Sequence, residues 1–173
     1  YNIYYNSVSM NANQTDVSGM PAAFNVTSNV TTANSLNVRN NIFSNTQSIG
    51  TNRYSIICEA PNTVFTNIDY NNYHCGTAPN LAFFGSDITT LSTLQTVTGK
   101  DVNSISVAPF FVSATDLHLV ASGNCSIDNQ GTPITNIFTD IDNTTRDANN
   151  PDIGADEFSS TTAQLSSSLS PSA

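Results

Sequence analysis

Tryptophan is absent from this chain, and Lys and Arg together number 4 of its 173 residues. Nucleic-acid binding needs clustered basic side chains to neutralise phosphates, so that class of partner is excluded. No run of about 18 apolar residues occurs, which removes a transmembrane helix. Leu, Ala, Glu and Lys are scarce while poor helix formers abound, so a helical bundle is disfavoured. Cys-x-x-Cys pairs are missing as well, and with them the usual zinc and thiol-redox motifs. Only 38% of residues are hydrophobic. A core drawn from so few apolar side chains is thin, or is filled in part by paired polar groups.

Amides and hydroxyls take the place of what is missing. The chain holds 24 Asn, 22 Ser and 22 Thr. Its formal net charge is -9. That charge opposes polyanions and suits neutral glycans, cationic surfaces or divalent cations. Low Lys with high Asn and Thr points to a secreted or cell-surface protein. The chain opens at Tyr1 without a basic leader and reads as a mature product or an excised fragment. Cys58, Cys75 and Cys125 are odd in number, so at least one is unpaired. A Cys58–Cys75 disulfide and three small buried thiols both fit that count. Sequons at Asn13, Asn25, Asn29, Asn124 and Asn143 are expected from composition alone.

Repetition is the informative feature. Ile3-Tyr-Tyr-Asn6-Ser-Val8, Val38-Arg-Asn-Asn41-Ile-Phe43 and Ile68-Asp-Tyr-Asn71-Asn-Tyr73 align without gaps. Each has a β-branched residue, Asn three later, and an apolar or aromatic residue two after that. Such spacing suits a coiled β-solenoid, in which equivalent side chains stack about 4.8 Å apart. Asn6, Asn41 and Asn71 are expected to stack as an amide ladder, with Ile3, Val38 and Ile68 facing inward. A sandwich is the runner-up but leaves the repeated Asn unexplained. Further strands are expected at 23–27, 54–58, 63–66, 104–112 and 116–120. Leu91, Leu94 and Val97 have helical spacing between a capping Asp87 or Thr90 and Gly99, which predicts a short α-helix near 90–98. Residues 159–173 are Ser-rich and uncharged and read as a flexible tail or linker.

The run Thr98-Gly-Lys-Asp-Val-Asn-Ser-Ile-Ser-Val-Ala-Pro-Phe-Phe-Val-Ser-Ala-Thr-Asp-Leu-His-Leu119, with Ser126-Ile-Asp-Asn-Gln-Gly-Thr132, resembles the C-terminal rungs of secreted bacterial right-handed parallel β-helix proteins. Asp140-Ile-Asp-Asn-Thr-Thr-Arg146 followed by Asn150-Pro-Asp-Ile-Gly-Ala-Asp-Glu-Phe158 resembles the closing signature of that group. Asn143 replaces its usual Gly, Thr144 or Thr145 an acidic residue, and Cys125-Ser126 a Pro-Ala pair. The resemblance implies a pectate-lyase-like solenoid over residues 1–158, export, and a place in a larger surface protein. The group includes polysaccharide lyases, carbohydrate-binding proteins and adhesin-like proteins, so it fixes no single activity. The first repeat begins at Ile3 with nothing before it to cap, which predicts upstream rungs or a covering partner.

The side chains available for chemistry are few. A lyase needs a base and a cation for the uronide carboxylate. The chain offers only Arg39, Arg53, Lys100 and Arg146. Hydrolysis needs two carboxylates at a set separation, and Asp69 has no partner in its register. Asp140, Asp142 and Asp147 lead an acidic group able to offer oxygens to Ca²⁺. The plainer reading is that Arg146 pairs with Asp152 or Glu157 and pins the last rung. His74 and His118 are far apart, and no nucleophile is placed beside either. Tyr4, Tyr5, Asp69, Tyr70 and Tyr73, beside Asn-rich corners, are the candidate glycan-binding set. The expectation is a non-catalytic extracellular module, adhesin-like or glycan-binding. A partial or degenerate polysaccharide lyase and a purely structural spacer are the alternatives. No cofactor is implied beyond Ca²⁺. The expected partners are a carbohydrate or cell-surface ligand and further domains of a larger chain.

Overall fold

The computed structural model describes residues 1–160, so the Ser-rich segment lies, beyond Ser160, outside the described residues. The strands are β1 Asn2–Tyr4, β2 Ser7–Met10, β3 Ala22–Val26, β4 Leu36–Arg39, β5 Ile42–Asn45, β6 Tyr54–Cys58, β7 Phe65–Asp69, β8 Asn72–Cys75, β9 Ala82–Phe84 and β10 Asp87–Ile88. One α-helix, α1, spans Leu91–Thr98. The strands form three sheets, ordered β1-β4-β7, β2-β5-β8 and β3-β6-β9-β10. Every pairing is parallel except β9 with β10. The chain therefore visits the sheets in the same order three times. Parallel neighbours cannot be joined by a tight hairpin, and here the other two strands of each course make the crossover. The molecule is mostly β, with parallel sheets and one helix, an arrangement compatible with a β-helix.

Register follows the sequence repeats. Ile3 lies beside Val38, and Val38 beside Ile68. Val38 and Ile68 are buried, while Ile3 is half-buried. They join Phe43, Ile56, Val64, Phe65 and Tyr73 in the main core. Phe43 stacks on Phe24 at 4.9 Å and on Tyr73 at 6.0 Å between ring centroids. Between the first and second sheets each course turns at one residue with positive φ: Tyr5 (53°), Asn40 (59°) and Tyr70 (56°). Left-handed backbone at a tyrosine is strained, so something adjacent must hold these corners. The asparagine that follows each of them does so.

The C-terminal third departs from expectation. Residues 104–112 and 116–120 form no strand. They contribute only the isolated bridges Asn72–Ile105 and Phe111–Leu119. Pro109 has no N–H to give a ladder. Neighbouring amides are captured by side chains instead: Val107 N–H by Asn72, Phe110 N–H by Asn124 and Leu119 N–H by Asp156. This segment packs across the outer face of the β2-β5-β8 sheet. Alternate residues of a strand point to opposite faces. Phe43 enters the main core, and Ile42 enters a second cluster with Leu119, Ile127 and Ile153.

The α-helix starts and stops where its caps predict. Thr90 Oγ1 accepts the N–H of Thr93 at 3.2 Å, and Gly99 takes φ 65°. Its buried stripe differs from the expected one, because Leu94 and Thr98 are buried and Val97 is exposed. Thr98 Oγ1 donates to Leu94 O at 2.8 Å, so its hydroxyl is satisfied without solvent. All three cysteines are free. Burial pushes the Cys58 thiol up and the Cys75 thiol up to about 12.

Candidate functional site

The outward face of the β1-β4-β7 sheet carries two aligned rows. Asn2, Asn37 and Asn67 share one register, and Tyr4, Arg39 and Asp69 share another. The Arg39 guanidinium carbon lies 5.3 Å from the Tyr4 ring centroid. Arg39 Nε donates to Asn37 Oδ1 at 2.9 Å, and Tyr4 Oη donates to Asn2 Oδ1 at 3.0 Å. Asn2 is exposed and the other five are half-buried. A ring, a guanidinium and a row of amides are thus held in fixed positions by their own contacts. Arg53 and Arg146 are buried, so neither brings a second guanidinium to this face.

Asp69 has a different role from the one the sequence suggested. Its Oδ1 accepts N–H groups of Tyr70 (2.9 Å) and Asn103 (2.7 Å), and its Oδ2 accepts Asn103 Nδ2 at 2.8 Å. It holds a turn. Tyr70 is half-buried at the left-handed corner beside it. Two of the tyrosines expected to stack on sugars are internal, which corrects that expectation. Tyr73 is fully buried and donates to Asp101 Oδ1 at 2.9 Å. Tyr5 is buried beneath Arg146, whose guanidinium carbon is 3.9 Å from the ring centroid. A sugar cannot reach a ring whose faces are already packed.

The asparagines stack in order. Asn6 Nδ2 donates to Asn41 Oδ1 at 2.8 Å, and Asn41 Nδ2 donates to Asn71 Oδ1 at 2.9 Å. The backbone N–H of Asn6 and of Asn41 donates into the same two oxygens. Ser104 Oγ accepts from the N–H of Asn71 and extends the stack by one course. Asn41 and Asn71 are fully buried, and each Nδ2 also reaches a strand carbonyl. The set is structural: it satisfies the corner backbone.

The three acids proposed to share Ca²⁺ do not converge. Asp140 Oδ1 accepts from the N–H groups of Asp142 and Thr144, and its Oδ2 from Glu157 N–H. Asp147 Oδ1 accepts from Asn149 and Asn150 N–H. Oxygens spent on backbone amides order the loops rather than a cation. Arg146 pairs with Glu157 at 3.1 Å and donates to Gly154 O and Ala155 O. It does not pin a last course, because it sits over Tyr5 at the first corner.

Asp142 turns instead toward His118, beside which the sequence placed no partner. His118 Nδ1 lies 2.5 Å from Asp116 Oδ1, and Nε2 lies 2.8 Å from Asp142 Oδ2. Hydrogen bonds to Asp116 and Asp142 raise the imidazole above its ordinary value. Asp156 completes the group: one donor atom each from His118, Asp142 and Asp156 lie within 4.8 Å of one another. The group borders an open cleft of about 550 Å³. Asp-x-His at 116–118 was visible in the sequence, but its meeting with residues 24 and 38 positions later was not. Among the described residues, no helix is long and apolar enough to cross a membrane. No family model, curated protein or solved structure matches the chain.

Proposed function

We propose that residues 1–158 form a right-handed parallel β-helix that serves as a non-catalytic carbohydrate-binding module of an extracellular or cell-surface protein, in the manner of an adhesin segment. The observation that carries this reading is the ordered strip Asn2-Asn37-Asn67 beside Tyr4 and Arg39. Successive members are about 4.8 Å apart across the strands, a spacing that lets several groups meet one extended saccharide. Handedness and solenoid identity are supported by the threefold return to the same sheets and by the sequence resemblance. A right-handed crossover is also the rule for parallel strands.

The test is a glycan array run with and without calcium, on the unaltered chain and on Tyr4→Ala and Arg39→Ala. Selective binding that falls about tenfold or more in both variants is expected, as for loss of a central aromatic or arginine contact. Release of unsaturated uronide products would favour the lyase alternative. Silence across neutral and acidic glycans would leave a structural spacer.

A further inference from the structure

The geometry points to a divalent transition-metal site formed by His118 Nε2, Asp142 and Asp156. Their donor atoms already lie within 4.8 Å of one another. Ligands about 2.0–2.1 Å from a common zinc-sized ion lie about 3.3 Å apart in tetrahedral geometry, so the hydrogen-bonded His118–Asp142 pair at 2.8 Å opens by about half an ångström as the metal displaces their shared proton.

Asp156 supplies the independent sign. It is only 8% exposed, yet it lines the cleft. Its Oδ2 accepts the N–H of Leu119 at 2.8 Å. Its Oδ1 accepts no hydrogen bond among the described residues. That oxygen is open to the cleft rather than sealed in the core, so it is accessible to an ion without first losing a protein donor. Leu119 N–H holds one oxygen of this carboxylate, and the second has no protein donor among the described residues.

Asp116 is a positioning residue. It engages Nδ1 of His118, so Nε2 is the nitrogen turned toward Asp142. Metal-bound histidines commonly hold their second nitrogen in this way. One imidazole and two carboxylates suit Zn²⁺, Mn²⁺ or Fe²⁺, whereas Ca²⁺ prefers oxygen ligands alone. The three ligands come from three separate segments, so a bound ion would clip them together. Coordination positions left open face the cleft beside Ser7, Thr115 and Ile141. Metal binding here stands independently of carbohydrate recognition on the β1-β4-β7 face.

The experiment is calorimetric titration of metal-stripped protein with Zn²⁺, Mn²⁺, Ca²⁺ and Mg²⁺. It is done in a Cys125→Ser background, because Cys125 is an exposed thiol. The expected result is one saturable Zn²⁺ site, with Ca²⁺ and Mg²⁺ far weaker. Affinity should fall at least tenfold in His118→Ala and in Asp142→Asn, both exposed enough to fold. Asp116→Asn should weaken it about 10–100-fold, the usual effect of losing such a partner. Nitrogen-15 spectra of the imidazole should show Zn²⁺ shifting Nε2 while Nδ1 keeps its proton, a signature that a merely structural Asp116 would not set. Absence of saturable Zn²⁺ binding, or binding of equal strength in both ligand variants, would overturn the site.

Discussion

Asn41 shows what a single side chain does in this molecule. Its Oδ1 accepts from Asn6 Nδ2 and Asn6 N–H, and its Nδ2 donates to Ile3 O, Arg39 O and Asn71 Oδ1. Removing the amide strands several groups in a site with no solvent. Asn41→Ala should cost about 3 kcal/mol or more, read by urea unfolding, since each buried orphan costs about 1–3 kcal/mol. Asn6→Ala, exposed at the end of the stack, should cost about 1 kcal/mol.

Asp101 makes a second residue-scale case. Tyr73 and Ser104 satisfy its Oδ1, while Oδ2 is buried without a partner. Burial raises it from 3.8 to about 7, and burial raises Asp152 to about 7 as well. A raised folded pKa means the fold holds the proton more tightly than the unfolded chain. The stability from these two acids is therefore full below about pH 4 and is lost as pH rises through about 7. Asp16, Asp116 and Asp147 shift the other way, but they are exposed and screened by solvent. Asp101→Asn should remove roughly half of the fall in melting temperature between pH 4 and 7, because two similar groups contribute. An unchanged pH profile would show that Asp101 is ionised throughout.

At the scale of elements, α1 separates local from tertiary causes. A Cβ at Gly99 would meet nothing within 4 Å, so Gly99→Ala tests the left-handed cap alone. The expected loss is about 1 kcal/mol. Thr90→Ala should cost about the same through the lost N-cap bond. Val97→Ser should change stability by less than about 0.5 kcal/mol, because Val97 is exposed. The helix itself was legible, since caps are local chemistry. Its buried stripe was not, because apolar spacing alone cannot tell that Thr98 will satisfy its own hydroxyl and go inside. Strands behave similarly. The eight strands of the first two sheets and of β3 and β6 follow short β-branched or aromatic runs, whereas 104–120 has such runs and forms none.

At the scale of the whole molecule, the C-terminal segment is bound to the first two courses. Gly154 has φ 105°, and a Cβ there would lie 2.7 Å from Ile42 Cδ1 and 2.9 Å from Ser7 Oγ. Ala155 N–H donates to Ser7 Oγ, and Gly154 N–H to Asn40 O. Gly154→Ala should therefore loosen the whole segment, seen as faster amide exchange at Leu119, Ile127 and Ile153. Arg146→Met leaves Glu157 buried without its partner and should cost about 3–5 kcal/mol in thermal or urea unfolding. Intact exchange protection in Gly154→Ala would show that the segment docks without this contact.

The sequence by itself determined the β character, the repeated register and the asparagine stack, because each depends on residues recurring at fixed intervals. It also marked the helix ends and narrowed the partner of Arg146 to Asp152 or Glu157, of which the structure selects Glu157. Tertiary structure decided which tyrosines are covered, which acids spend their oxygens on backbone amides, and that His118 meets Asp142 and Asp156. Those outcomes turn on one segment lying across the outer face of a sheet laid down more than a hundred residues earlier. No local pattern encodes that contact; shape and the satisfaction of buried polar groups select it.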